Sequence, residues 1–367
     1  MPRLKKVRQL PLNRWIDLAL FLFLLSFPTW QNTYWVYIMS GIMAYMIFAL
    51  SLDLLWGYTG LMSMGHSVLF GSGGYMIGIA SAWANQADWI KFDQLPWFLA
   101  LLSSPLGAFL AALLLPGLIA LFIGLFMFSG KIRGVFFSLI TLALAGIAEL
   151  FVINQSRYTH GDSGITVTSR TLFSNADSQR LTDQQFYFVV LAFLLGSYLL
   201  CLWLVNTRTG KVLQGIRENE SRLTYLGYKP AAFKLFIFVL SGMMAGLAGM
   251  LFVRVQGSIN HSSIGINLAT LVLVWVAVGG RGNLTGALIG TLLLQFSETK
   301  LNSVFSGISA DFAQYWKLVL GLLLLLIVFV IPRGLIGVLL DYQQSRQDRD
   351  RKAAIMQKEV NRHGANP

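Results

Sequence analysis

His66 lies close to Ser63 and beside Ser67 in a run otherwise made of glycine and apolar residues, and the chain's other histidines are His160, His261 and His363. An imidazole near hydroxyls can hydrogen-bond a small polar solute or pass a proton. A second polar set shares one helical face, because Gly134, Ser138, Thr141, Ala145 and Glu149 follow one another at steps of three or four residues. A carboxylate inside an apolar helix is costly and faces a bundle interior or water. Glu149 therefore reads either as a ligand or gate residue on an outward path, or as a snorkelled structural group near the helix end. Asp53, near the end of its own apolar run, reads as interfacial. A third set, Gly279, Gly280, Arg281, Gly282 and Asn283, interrupts an apolar segment with a tight turn that keeps one positive charge. It is either a plain turn between short helices or a re-entrant element that touches a partner or lines a path.

These residues fit no group-transfer chemistry. The GxxxxGK[ST] phosphate loop is absent from the sequence, and RTGK at 208–211 lacks the upstream glycine that would shape a phosphate nest. HExxH, GxSxG and paired His/Cys spacings are absent too. The one cysteine, Cys201, lies in an apolar run, so an intrachain disulfide is excluded and no metal cluster is implied. The expectation is a chain that is no enzyme and holds no cofactor or metal of its own. Any uphill movement it supports draws on an ion gradient or on another subunit.

The elements that must position these groups are membrane helices. Hydrophobic residues make up 55% of the 367 and charged residues 12%, about half the charge of a soluble protein, and mean hydropathy is +0.63. A span needs about 20 apolar residues, which predicts spans near 15–30, 34–56, 58–83, 97–128, 134–154, 185–205, 232–254 and 315–332. The segment 267–297 adds a broken or re-entrant glycine-rich pair. The expected fold is thus an all-α polytopic membrane protein of about eight clear spans and about ten helical segments. The predicted span 58–83 includes Gly60, Gly65, Gly71, Gly73, Gly74 and Gly78, just after Gly57. Since each glycine costs a helix about 1 kcal/mol relative to alanine, they imply close helix packing or a locally unwound stretch beside a polar path.

Net charge is +12, but its distribution speaks for topology rather than nucleic acid. With both termini cytoplasmic, all but seven of the 28 Lys and Arg fall on the inner side, the exceptions being Lys91, Arg157, Arg170, Arg180, Arg254, Lys300 and Lys317. The expected division is a basic cytoplasmic N-terminus over 1–14, a membrane domain over 15–340 with an outer loop at 155–184, and a polar cytoplasmic tail over 341–367. FPTW at 27–30 offers no small-residue cleavage site, so the first span is expected to be retained.

One inner segment, 206–231, is too elaborate for a turn. It carries Lys211, Arg217, Glu218, Glu220 and Arg222, yet Val212, Ile216, Leu223 and Leu226 fit one face of a helix or of two short ones. Gly227 supplies a stop, and Pro230 opens the next span. Glu218 and Glu220 do nothing for topology, so a mixed-charge helix with an apolar ridge is better suited to a protein groove than to anionic lipid.

At this point the chain resembles a family. TRTGKVLQGIRENESRLTYLGYKPAAFKLFIFVLSGMMAGLAGMLF (207–252) is similar to the hallmark loop and following span of branched-chain amino-acid ABC transporter permeases. SLDLLWGYTGLMSMGHSVLFGSGGYMIGI (51–79), VWVAVGGRGNLTGALIGT (274–291) and IPRGLIGVL (331–339) extend the likeness over about residues 35–340. Within the family, DLLWGYTGLMSMGH, IRGVFFSLITLAL and WVAVGGRG look most like the urea-type branch. The resemblance implies a permease in a bacterial plasma (inner) membrane, paired with a second homologous permease. It also implies two cytoplasmic ATPases that bind ATP and Mg, and a solute-binding protein outside. The docking loop would use Gly210, Arg217, Glu218, Asn219, Glu220, Arg222 and Gly227, with Arg222 standing where a small residue is usual. Candidate path residues are Ser63, His66, Ser138, Thr141 and Glu149. Urea is the favoured solute, with branched-chain amino acids as the alternative. A stand-alone secondary transporter or channel, or an assembly subunit, ranks below both.

Overall fold

A computed structural model describes residues 11–84, 104–132, 134–167 and 181–308, with 102, 321, 334 and 337 as isolated positions. Residues 1–10, the start of the expected span 97–128, part of the outer stretch (168–180), all of the expected span 315–332 but residue 321, and the tail 341–367 lie outside the described residues.

Eleven α-helices run through the described residues. They are α1 (Pro11–Trp30), α2 (Thr33–Thr59), α3 (His66–Ala84), α4 (Pro105–Ser129), α5 (Val135–Asn154), α6 (Ser156–Thr159), α7 (Asp183–Asn206), α8 (Arg208–Tyr225), α9 (Pro230–Gln256), α10 (Ile266–Gly279) and α11 (Leu284–Ile308). A two-residue antiparallel ladder joins β1 (Ile165–Thr166) to β2 (Ser258–Ile259). Among the described residues, α2, α4, α5, α7, α9 and the stretch His261–Gly279 are long and apolar enough to cross a membrane. The molecule is an all-α polytopic membrane protein.

Burial separates the helices into a centre and a rim. The most apolar window of α2 is 83% buried, while those of α4 and α5 are each 28% buried. α9 packs on α2, α3 and α4 at once. It comes close to α3 because Gly73 faces the backbone of Gly246 and Gly249 faces the Phe70 carbonyl, where a Cβ would collide. The outer faces of α4 and α5 carry exposed side chains such as Phe122, Phe126, Val135 and Phe136, the apolar surface that lipid covers.

The third predicted span is not one helix. α2 continues to Thr59 and stops because Gly60 adopts φ 79°, with its N–H on the Trp56 carbonyl. Residues 60–65 are then non-helical, and α3 begins only at His66. The stretch is unwound only at residues 60–65, and its glycines in α3, Gly71, Gly73 and Gly74 among them, are closely packed. The broken segment differs as well. α10 has 14 residues, but α11 has 25 and runs on past 297, the expected end of the segment. The pair forms a tight hairpin in which Gly279 lies against the Gly286 carbonyl.

Candidate functional site

The bundle has two differently built ends, and the 206–231 segment forms one of them. α8 is two helical pieces joined at Asn219, whose backbone is extended (φ −160°, ψ 98°). The Asn219 side-chain oxygen accepts the Arg222 N–H at 3.1 Å, so it caps the second piece. That piece ends in a Schellman arrangement, with the Gly227 N–H on the Thr224 carbonyl and the Tyr228 N–H on the Leu223 carbonyl, Gly227 being at φ 85°. Gly210 is buried against the Val205 carbonyl. The expected ridge is split by the bend. Leu213 and Ile216 are buried in the chain's own bundle and Val212 and Leu223 are half-buried, whereas Leu226 points away, 73% exposed.

The charges of α8 divide in the same way. Arg217 Nη1 donates to the Gly57 carbonyl in the last turn of α2. The Glu220 carboxylate pairs with Lys234 of α9 at 2.7 Å, and that lysine is almost wholly enclosed. Glu218 and Arg222 stay exposed beside Tyr225, Leu226 and Tyr228. Arg217 and Glu220 therefore anchor the segment inward, while Arg208, Lys211, Glu218 and Arg222 remain on its exposed side.

Around Gly57 the glycine-rich turn closes the junction. The Gly282 N–H donates to Asp53 Oδ1 at 2.7 Å. Gly57 has no room for a Cβ, which would meet Asp53 Oδ1 and the Gly282 backbone. Arg281 lies over the Trp56 ring at 5.3 Å. Burial, then the like charge of Arg217, pulls the Arg281 pKa below its ordinary value, and Asp53 pushes it back. Gly280 packs against Gly334 of the IPRGLIGVL motif, while Asn283 accepts the Gly286 N–H as α11 begins. Asp53 is wholly buried rather than interfacial. The sequence signal for it was present, since a carboxylate inside a span needs a partner, but nothing local pointed to a backbone N–H over two hundred residues away.

The path candidates fall in two places. Ser138 donates to the Met62 carbonyl at 2.7 Å, and Thr141 Oγ1 accepts the Met64 N–H at 3.1 Å. These two hydroxyls pair with two backbone groups of the unwound 60–65 stretch, and Thr59 accepts a third, the Leu61 N–H. Ser63 and Thr141 face a small cavity of about 10 Å³, near the limit for one water. His66 is fully buried, 3.0 Å from the Ser51 hydroxyl and stacked on Phe48. Glu149 lies two turns beyond Thr141 on α5 and packs on Gly265, next to the Ile264 carbonyl that accepts from the Ser67 hydroxyl. Its Oε2 accepts the Ile266 N–H at 3.4 Å, at the start of α10, where a helix favours negative charge.

Sequence reasoning missed a further carboxylate. Asp17 of α1 is buried and accepts from Tyr198 of α7 and from Thr285 of α11, the latter at 2.6 Å, so it ties three helices together.

The described residues form a polytopic helix bundle whose surface helix α8 is latched inward by Arg217 and Glu220, and among them no group of three or more His, Cys, Asp or Glu could hold a metal. The sequence pattern of the family described as "Branched-chain amino acid transport system / permease component" matches residues 34–328, and the chain belongs to that family. It is 25% identical over 342 residues to the high-affinity branched-chain amino acid transport system permease protein LivM of Salmonella typhimurium, covering 87% of this chain and 74% of that one. LivM of Escherichia coli is likewise 25% identical, over 341 residues, with 87% and 73% covered. A probable branched-chain amino acid transport permease protein LivH of Methanocaldococcus jannaschii is 30% identical over 152 residues, 41% of this chain and 47% of its own length. No solved structure matches. The chain is a transport subunit and not an enzyme, ATP hydrolysis being the work of separate subunits.

Proposed function

We propose that the chain is one of two permease subunits of an ATP-driven importer in a bacterial plasma (inner) membrane, and that its solute is a branched-chain amino acid. A homologous second permease, two cytoplasmic ATPases and an external solute-binding protein complete the assembly. ATP and Mg bind in the ATPases, and both termini of this chain lie in the cytoplasm. Of the two solutes expected from the sequence, the relatives support branched-chain amino acids, and they lend urea no support.

The observation that carries the coupling role is the contact of Arg217 with Gly57. An ATPase pressing on the exposed second piece of α8 would move the first piece, and Arg217 hands that movement to the end of α2 and, through Gly282, to the α10–α11 turn. Residues 60–65 begin three positions beyond Gly57. The element driven from outside is thus joined to the non-helical stretch between α2 and α3.

The test is uptake of labelled leucine and labelled urea by the complete importer, for the wild type and for Arg217→Ala. Leucine uptake that requires ATP, and that falls in the variant while the complex stays assembled and still hydrolyses ATP, is the expected result. Normal uptake by the variant would sink the coupling role. Uptake of urea instead of leucine would return the solute to the first expectation.

A further inference from the structure

At the end of the bundle opposite α8, a cleft of about 250 Å³ opens between α2, the end of α9, β2 and the start of α10. Its floor is aromatic, with the rings of Tyr45 and Phe252 only 4.6 Å apart at their centroids. Trp275, itself buried, lies 4.9 Å from Tyr45 at the ring centroids, behind that floor. Tyr45 stands near the middle of α2, about 20 Å from either end at 1.5 Å per residue, so the cleft reaches well into the bundle. Leu268 forms an apolar wall.

The rim has a different chemistry. Gln256, Asn260 and Asn267 bring three side-chain amides to it, and all three are exposed. The Ser262 hydroxyl donates to Asn260 Oδ1 at 2.7 Å, which leaves the Asn260 NH2 group as a donor for something else. No carboxylate, ammonium, guanidinium or imidazole is among the described residues that line the cleft.

We propose that this cleft is the seat where the solute rests on entering the permease, its polar ends on the amide rim and an aliphatic side chain against Leu268 and Phe252. The proposal rests on the importer reading above. A solute with net charge would enter without a counter-charge and lose hydration it cannot replace. A zwitterion with an uncharged side chain carries balanced ends, and the amides offer both donors and acceptors for them. A branched aliphatic side chain gains from the apolar wall where urea, with no apolar part, gains nothing. That difference amounts to about tenfold or more in selectivity. The closed aromatic floor means that the solute advances only when the Tyr45, Phe252 and Trp275 rings part.

Asn267→Cys places a thiol on the rim, against a background in which Cys201 is buried. The experiment follows maleimide labelling of that thiol in the purified complete importer, with leucine, glutamate, lysine or urea added. Leucine at about ten times its Kd is expected to slow labelling about tenfold, and the charged solutes and urea to leave it unchanged. Labelling indifferent to every solute overturns the proposal, and protection by urea alone or by a charged amino acid overturns the aliphatic, uncharged class. A second variant, Leu268→Asn, is expected to raise the KM for leucine about tenfold with ATP hydrolysis retained, and an unchanged KM counts against the seat. Wild-type uptake of leucine alongside both negative results would overturn the seat alone. Absence of any leucine uptake by the wild type would overturn the importer reading itself.

Discussion

Arg217 and Gly57 meet across the α8–α2 junction, a guanidinium N–H on a backbone carbonyl, and the same glycine touches the backbone of Gly282. Gly57→Ala would drive a Cβ into Asp53 and that backbone, where no flexible side-chain end can yield. Overpacking of this kind costs about 1–3 kcal/mol. Thermal unfolding of the purified complex should fall accordingly, while Gly196→Ala on the outer face of α7, with nothing within 4 Å, should be neutral or slightly stabilising. Equal behaviour of the two variants would mean that the junction is looser than described.

Ser138 and Thr141 hydrogen-bond the unwound stretch, so their loss should register as stability. Thr141→Val leaves the Met64 N–H unpaired at a cost of about 1–3 kcal/mol. Its thermal midpoint should drop, and the molecules that remain folded should take up leucine with an unchanged KM. A raised KM with an unchanged midpoint would restore Thr141 to the path.

Much of the fold was legible in the sequence because lipid demands long apolar runs. The helices at 135–154, 183–206 and 230–256 end within about two residues of their predicted limits, in the range where helix ends are ambiguous anyway. The unwound stretch was only half legible, since glycine content suits both packing and unwinding, and what decides is a hydroxyl on α5. The inward side of α8 was hidden for a related reason. Periodicity fitted Val212, Ile216, Leu223 and Leu226 to one face of a helix or of two short ones, and the Asn219 bend that makes two pieces leaves Leu226 outward. Asp53 and Asp17 were visible as charges, but their partners come from distant parts of the chain.

Glu149 is expected to act on α10 and not on an ion. Glu149→Gln keeps an oxygen for the Ile266 N–H and loses only the charge at the helix start, about 0.3–1 kcal/mol. Leucine uptake should persist across neutral pH in that variant. Abolished uptake, or a new dependence on an ion gradient, would move Glu149 onto the path.

Tyr225 is 91% exposed and Leu226 73% exposed, which for side chains of this size points to a partner. Tyr225→Asp should leave the thermal midpoint of the isolated permease unchanged. It should also weaken retention of the ATPases by about thirtyfold, in line with the loss of about 2 kcal/mol at an aromatic hot spot. Full co-purification of the ATPases with the variant would place the docking face elsewhere.

The hydroxyls that complete residues 60–65 come from Ser138 and Thr141, which lie 76 and 77 positions further along the chain than the backbone groups they serve. In lipid an unmatched N–H or carbonyl costs several kcal/mol, so the stretch has no stable resting depth until α5 has left the ribosome. Insertion is therefore staged. α2 can settle as soon as it is made, but residues 60–65 must wait in a wet environment for a helix not yet synthesised. Chains halted before residue 135 should carry a Ser63→Cys thiol that water-borne reagents still reach, and longer chains should hide it.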